Sequence, residues 1–342
     1  MPKTMSHELK VISRELSANF SFVRFDVPLR DYSTLKVGGP AWALAEPETL
    51  QQLIKVFKFA QVKALPVWVL GAASNVIPDD RGFRGLIICT CRVDPNPKLI
   101  SSQMIEVACG VSMPRLVKFC KKLALTGLEW SIGIPGTVGG GIWTNAGASG
   151  SDISEVVHDI SFWNGSEIDI LSRDEVRWGH RYSSFQDHPE WLILSVRLRL
   201  RQSTSELVDQ SIKERLKLIK ATQPRLHPNV GTVFKANRKA LLTLAAGLQV
   251  GSMTCCEENP GWINNLGGGT ASDAFDLVRR VMWRHVWRGL PMPKVEPIFL
   301  PYDPSNEISP TVLFNHPPFA IRLIARVSRS WRFLFRKHLT DW

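Results

Sequence analysis

The stretch GIPGTVGGGIWTNAGASG, residues 133–150, sets seven glycines among eighteen positions. Backbone this bare lets N–H groups approach a partner that a Cβ would hold away, and turns of that kind bind phosphate oxygens. The spacing is neither G-x-G-x-x-G after a strand nor G-x-x-x-x-G-K-[ST], so neither the dinucleotide-fold rule nor the P-loop rule applies. Gly133, Gly136, Gly139, Gly140 and Gly141 are the candidate contacts for a pyrophosphate, and Ile134, Pro135, Thr137, Asn145, Ala146 and Gly147 of the same stretch are further candidate cofactor contacts. A glycine-rich loop can also serve structure alone, and that reading stands beside the first.

Two further turns share the character. LGAASN, residues 70–75, follows the strand-like LPVWVLG and offers Gly71, Ala72, Ala73, Ser74 and Asn75; STLKVGGPA, residues 33–41, offers Gly38 and Gly39. Three small-residue turns in one region point to an extended dinucleotide more specifically than any one of them.

Around these turns the chain alternates β-branched runs with amphipathic stretches from Val37 to about Leu200, giving an α+β fold class. PETLQQLIKVFKFAQ, residues 47–61, predicts a helix, and MPRLVKFCKKLALTG, residues 113–127, predicts a second one stopped by Gly127. WLILSVRLRLR, residues 191–201, reads as a strand with basic residues outward. A helix from Ser205 to about Ala221 leads to QPRLHP, where two prolines suggest a domain boundary. In TASDAFDLVRRVMWRHVWRG, Thr270 or Ser272 is placed to cap a helix and Gly289 to end it. FAIRLIARVSRSWRFLFRKHL, residues 319–339, puts Ile321, Ile324, Trp331 and Phe335 on one helical face beside five arginines. That tail reads as a docked terminal helix, an interfacial membrane helix or a site for an acidic partner.

With 342 residues, 44% hydrophobic and 21% charged, the composition is that of a globular protein with room for two or three domains. No apolar run reaches the roughly 18 residues of a membrane span. The N-terminal residues mix both charges and match neither a secretory signal nor a transit peptide, so a cytoplasmic location is expected. Six cysteines form no C-x-x-C pair, and no metal is expected. The net charge of +11 suits an anionic ligand, a nucleic acid or a membrane surface. No RNP motif, zinc finger or recognition helix supports nucleic acid, and many of the arginines lie in the tail.

The ordered segments STLKVGGPA, LGAASNVIPDDRGFRGLII, GLEWSIGIPGTVGGGIWTNAGASG, WGHRYSSF, QPRLHPNVGTVFK and NPGWINNLGGGTASD resemble the UDP-N-acetylenolpyruvoylglucosamine reductase (MurB) family over residues 20–301. The resemblance implies an N-terminal segment (1–19), a PCMH-type FAD-binding domain of two subdomains (20–204), a smaller C-terminal α/β substrate domain (205–304) and a basic tail (305–342). It implies FAD and NADPH as cofactors and a UDP-sugar substrate. NADPH reduces the flavin, hydride passes to the enolpyruvyl β-carbon, and a hydroxyl residue protonates the α-carbon. Arg181 matches the family arginine, Thr232 stands at the usual serine, and Lys235 and Asn265 match substrate-binding positions.

Several positions depart from the pattern. The family motif L-E-P-E aligns with Val295-Glu296-Pro297-Ile298, so Ile298 replaces the relay carboxylate; a shift of two residues offers Glu296 instead. Ala72 and Ala73 replace glycines, His180 a tyrosine, Asn237 a proline and Glu258 a lysine. The resemblance therefore leaves two functions open: the working reductase, or an impaired relative that keeps the fold and FAD as a binding or regulatory protein.

Overall fold

A computed structural model describes residues 3–223 and 226–303. Two compact units interleave along the chain. The first takes the residues up to Val27, with Ala41–Ala73 and Arg84–Thr222; the second takes Pro28–Pro40, Ser74–Phe83 and the described residues from Gln223 onward.

The first unit carries two sheets. Val67–Leu70 pairs in parallel with Phe83–Cys89 inside a four-stranded sheet that continues through Pro40–Ala45 to Val23–Pro28. The helix Leu50–Val62 starts where the Thr49 hydroxyl accepts the Gln52 N–H at 3.1 Å. It buries Leu53, Val56, Phe57 and Ala60, one face at helical spacing, in a core shared with Ala43, Leu86 and Ile88. The second sheet is antiparallel, in the order Ile168–Ser172, Val157–Trp163, Leu192–Arg199, Met104–Ala108, Lys98–Ser101. Its central strand is buried from Leu192 to Val196, so the expected outward basic residues begin only at Arg197, which meets Asp159 across the ladder at 2.7 Å.

Two elements end differently from their sequence reading. The helix expected to reach Gly127 spans Met113–Lys122, and the chain turns at Ala124 with φ 51°. Continuing it would carry Leu125 out of the core, where it is 1% exposed and paired with Gln202. The helix Ser205–Thr222 packs with the first unit through Val208, Ile212 and Ile219, rather than opening the C-terminal domain at residue 205. The division falls at QPRLHP, where the prolines stand.

The second unit holds an antiparallel sheet ordered Asn229–Thr232, Trp262–Asn265, Met253–Cys255, Gln249–Val250. Its helix Ala271–Trp287 buries Ala274, Leu277, Val278 and Val281 in a core with Val37, Ile77, Val230 and Ile263. Thr270 and Asp273 form the capping box, and Gly289 follows the helix with φ 58°, as the sequence indicated. Asp80 adds a second cap, accepting the Ala271 and Ser272 N–H groups at 2.7 and 2.8 Å. That contact explains why residues 74–83 group with a helix 190 residues further on: a carboxylate satisfies the orphan donors of a helix start. Val76–Pro78 also pairs in parallel with Ile298–Leu300.

No helix among the described residues is long and apolar enough to cross a membrane. The tail from residue 305, with its expected amphipathic helix, lies outside the described residues.

Candidate active site

The glycine-rich stretch forms the short helix Val138–Thr144, with the Thr137 hydroxyl accepting the Gly140 N–H at 3.3 Å. Its first donors are occupied by the protein: Val138 N–H donates to Val111 O and Gly139 N–H to Cys109 O, each at 2.8 Å. A Cβ on Gly139 would stand 2.9 Å from that of Cys109, and one on Gly133 would meet the end of Ile219. At these positions the chain's own packing, not a ligand, excludes the side chain. Gly136 and Thr137 are different, since their N–H groups donate to nothing among the described residues.

The same condition holds for Ala72 and Ala73. Gly71 lies against Thr137, where an added Cβ would strike the threonine hydroxyl, so the two turns adjoin and four unpaired backbone donors share one neighbourhood. Ala73 is buried with φ 47°, so the position does require the left-handed backbone that glycine adopts without strain. Donors left free beside a side-chain-poor turn suit a diphosphate, and FAD fits this cradle. Ser74 and Asn75, which continue the loop, belong to the second unit. There Asn75 Nδ2 donates to Glu296 O at 3.4 Å, and Asn75 O accepts the Ile298 N–H at 2.9 Å.

Arg181 sits at the tip of the hairpin joining Trp178–Gly179 to Tyr182–Ser183, half-buried, with φ 57°. The hairpin is stitched to the C-terminal end of the glycine-rich helix. Asn145, itself left-handed and 3% exposed, donates from Nδ2 to Gly179 O at 3.0 Å and accepts the Ser154 N–H. Ser183 Oγ and Gln186 Nε2 both donate to Trp143 O, at 3.0 and 2.7 Å. Nearby, the Tyr182 hydroxyl and the Arg177 guanidinium hold the Asp187 carboxyl below the usual carboxylate range. Asn145, expected at the cofactor, thus has its amide engaged by the protein, and Ala146 donates to Gly141 O.

In the second unit Gly38 lies against the Pro78 and Leu29 side chains and Gly39 against the backbone at 80–82: Gly39 N–H donates to Asp79 O at 2.9 Å, and a Cβ there would overlap Asp80 O. Asn265 is 2% exposed and likewise committed, with Nδ2 donating to Leu35 O and Oδ1 accepting from Gly267 and Gly269, all near 3.0 Å. Thr232 ends its strand exposed, and its hydroxyl has no partner among the described residues. Glu296 N–H donates to Val233 O at 3.0 Å, which sets Glu296 opposite Val233, the residue after Thr232. Burial alternates from buried Val295 through half-buried Glu296 and buried Pro297 to half-buried Ile298, so Glu296 and Ile298 share the less buried side. Lys235 is exposed and stands directly opposite Lys294 in the Phe234–Lys235 and Lys294–Val295 ladder. Asn237, the proline replacement, caps the helix Arg238–Leu244 by accepting the Lys239 N–H at 2.9 Å.

Sequence reasoning missed Gln186, Ser183 and Lys294. Ser183 lies inside the Arg181 motif and Gln186 directly after it, but only the fold shows that they meet Trp143. Cys89, Cys109, Cys120, Cys255 and Cys256 are buried free thiols, and burial pushes Cys109, Cys120 and Cys255 up to about 12. Among the described residues no cluster of histidine, cysteine or carboxylate could hold a metal ion.

An FAD binding domain family matches residues 41–166. A UDP-N-acetylenolpyruvoylglucosamine reductase of Rubrobacter xylanophilus is 35% identical over 271 residues, 78% of this chain and 91% of that protein. One from Streptococcus pneumoniae is 33% identical, over 76% of this chain and 88% of its own length. Among solved structures, the MurB of Thermus caldophilus superposes with a TM-score of 0.69 at 29% identity, covering 82% of this chain and all of the other. By this extent of identity the chain belongs to the UDP-N-acetylenolpyruvoylglucosamine reductase family.

Proposed function

We propose that this chain reduces the enolpyruvyl group of UDP-N-acetylenolpyruvoylglucosamine to give UDP-N-acetylmuramate, a precursor of peptidoglycan, with FAD as its cofactor and NADPH as the electron source. The observation that carries this reading is the 35% identity to a reductase of that name over 91% of its length. The Ala72–Ala73 and Gly136–Thr137 donors are its local support, as the residues that would hold the FAD diphosphate. Bound FAD supplies hydride transfer from the nicotinamide to carbon.

The protein's residues divide the remaining work. Arg181 holds the substrate carboxylate, onto which electron density moves when hydride reaches the β-carbon, and a bidentate guanidinium offsets that charge. Thr232 delivers the proton to the α-carbon; its exposed hydroxyl, without a partner among the described residues, is available for that bond. Glu296 supplies the carboxylate that Ile298 cannot, on the same side of the same segment. Lys235 and Lys294 would meet the UDP phosphates between them, and Asn265 shapes the substrate domain by fixing the loops at 35 and 267–269. The proposed location is the cytoplasm, the compartment that supplies NADPH and nucleotide-activated sugars.

The test is consumption of NADPH by the FAD-loaded protein with and without enolpyruvyl-UDP-N-acetylglucosamine. Substrate-dependent oxidation, abolished in Arg181→Ala, is expected. Oxidation at one rate regardless of substrate would overturn the reading.

A further inference from the structure

We propose that Gln186 is a positioning residue for Arg181, tuning recognition of the carboxylate end of the substrate without touching it. Arg181 adopts φ 57°, a conformation that residues with a Cβ avoid unless their surroundings impose it. The hairpin alone supplies little constraint, because its strands are two residues each. The Gln186 carboxamide ties the tip to the helix, donating to Arg181 O at 3.1 Å and to Trp143 O at 2.7 Å.

Both partners are carbonyl oxygens, so only the NH2 group can face them; a side-chain oxygen there would be repelled. Trp143 O belongs to the last turn of the helix Val138–Thr144, where carbonyls lack helical partners. The amide therefore joins the helix end, whose Trp143 carbonyl also accepts Ser183 Oγ, to the main chain of the residue carrying the guanidinium. Gln186 is itself anchored, since the adjacent Phe185 is 2% exposed and packs edge-on against Phe162 at 5.5 Å between ring centroids. Removing the donor takes away this tether on the Arg181 main chain and shifts the guanidinium it carries, and small misplacements of an anchoring group weaken its action steeply.

The inference rests on the reading of Arg181 as the carboxylate anchor, and the experiment separates the two. Calorimetry on the FAD-loaded protein without NADPH compares enolpyruvyl-UDP-N-acetylglucosamine with UDP-N-acetylglucosamine, which lacks the carboxylate. Gln186→Leu is expected to weaken the first about tenfold and leave the second unchanged; Gln186→Lys, which keeps a donor, is expected to restore the difference. Gln186→Glu, isosteric but without a donor, repeats the selective loss and carries the test should the leucine variant not fold. If Arg181→Ala loses the discrimination while Gln186→Leu and Gln186→Glu keep it, the role of Gln186 is overturned and that of Arg181 stands. If Arg181→Ala keeps it, the carboxylate reading itself fails. Equal weakening of both ligands by the Gln186 variants would mark a merely structural residue.

Discussion

The Asn145 amide donates to the Gly179 carbonyl at 3.0 Å, so the left-handed residue that ends the glycine-rich helix also holds the strand leading to Arg181. Replacing it by alanine leaves a half-buried carbonyl without its donor and keeps a Cβ in the left-handed region. Asn145→Ala is expected to destabilise the protein by about 2–3 kcal/mol. Asn145→Gly relieves the backbone cost but not the lost bonds, and is expected to lose less. Urea unfolding of the two variants checks the order; equal losses would show that the backbone conformation carries no cost.

Ala73 has φ 47° and is 4% exposed. A glycine pays no steric penalty there, although it has more freedom to lose on folding. Ala73→Gly is expected to stabilise by up to about 1 kcal/mol, seen as a raised Tm. A lowered Tm would place the strain elsewhere in the loop.

His285 gives the fold a pH dependence. It is 1% exposed, its Nδ1 bonds Val281 O at 2.9 Å, and its Nε2 has no partner among the described residues. Burial holds its pKa below the ordinary 6.5. Below that value the unfolded chain takes up a proton that the folded chain resists, so this contribution is intact above 6.5 and is lost as the pH falls through the folded value. Unfolding measured from pH 7.5 down to about pH 5 is expected to show that loss, and His285→Leu to flatten it; an unchanged slope in the variant would contradict the assignment.

Thr232 separates chemistry from stability. Its exposed hydroxyl bonds nothing among the described residues, so Thr232→Ala is expected to shift stability by no more than about 0.5 kcal/mol. Loss of a general acid costs about 10²–10⁴-fold in turnover. Thr232→Ser keeps the donor and is expected to keep most of the rate. A fully active alanine variant would remove Thr232 from the proton path.

Much of the fold was legible because local rules and burial agreed. The cap at Thr270, the stop at Gly289 and the apolar face of Leu50–Val62 all follow from side chains near in sequence. The stop at Ala124 was hidden, since the burial of Leu125 outweighed the glycine signal three residues on. The site was legible in its motifs but less so in its roles. A glycine excluded by Cys109 or by Asp80 O looks in sequence like one excluded by a phosphate, and Asn145 and Asn265 look like ligand contacts until their amides are found on the protein's own carbonyls. Residues 28–40 and 74–83 join the second unit through partners such as Asp80 with Ala271, which no local pattern announces.

The most direct measurement is a single turnover. FAD-loaded protein is reduced anaerobically with one equivalent of NADPH, then mixed with enolpyruvyl-UDP-N-acetylglucosamine while the flavin absorbance is followed. The account predicts rapid flavin reoxidation with formation of one equivalent of UDP-N-acetylmuramate. A flavin that binds and is reduced, yet stays reduced with the substrate present, would contradict it.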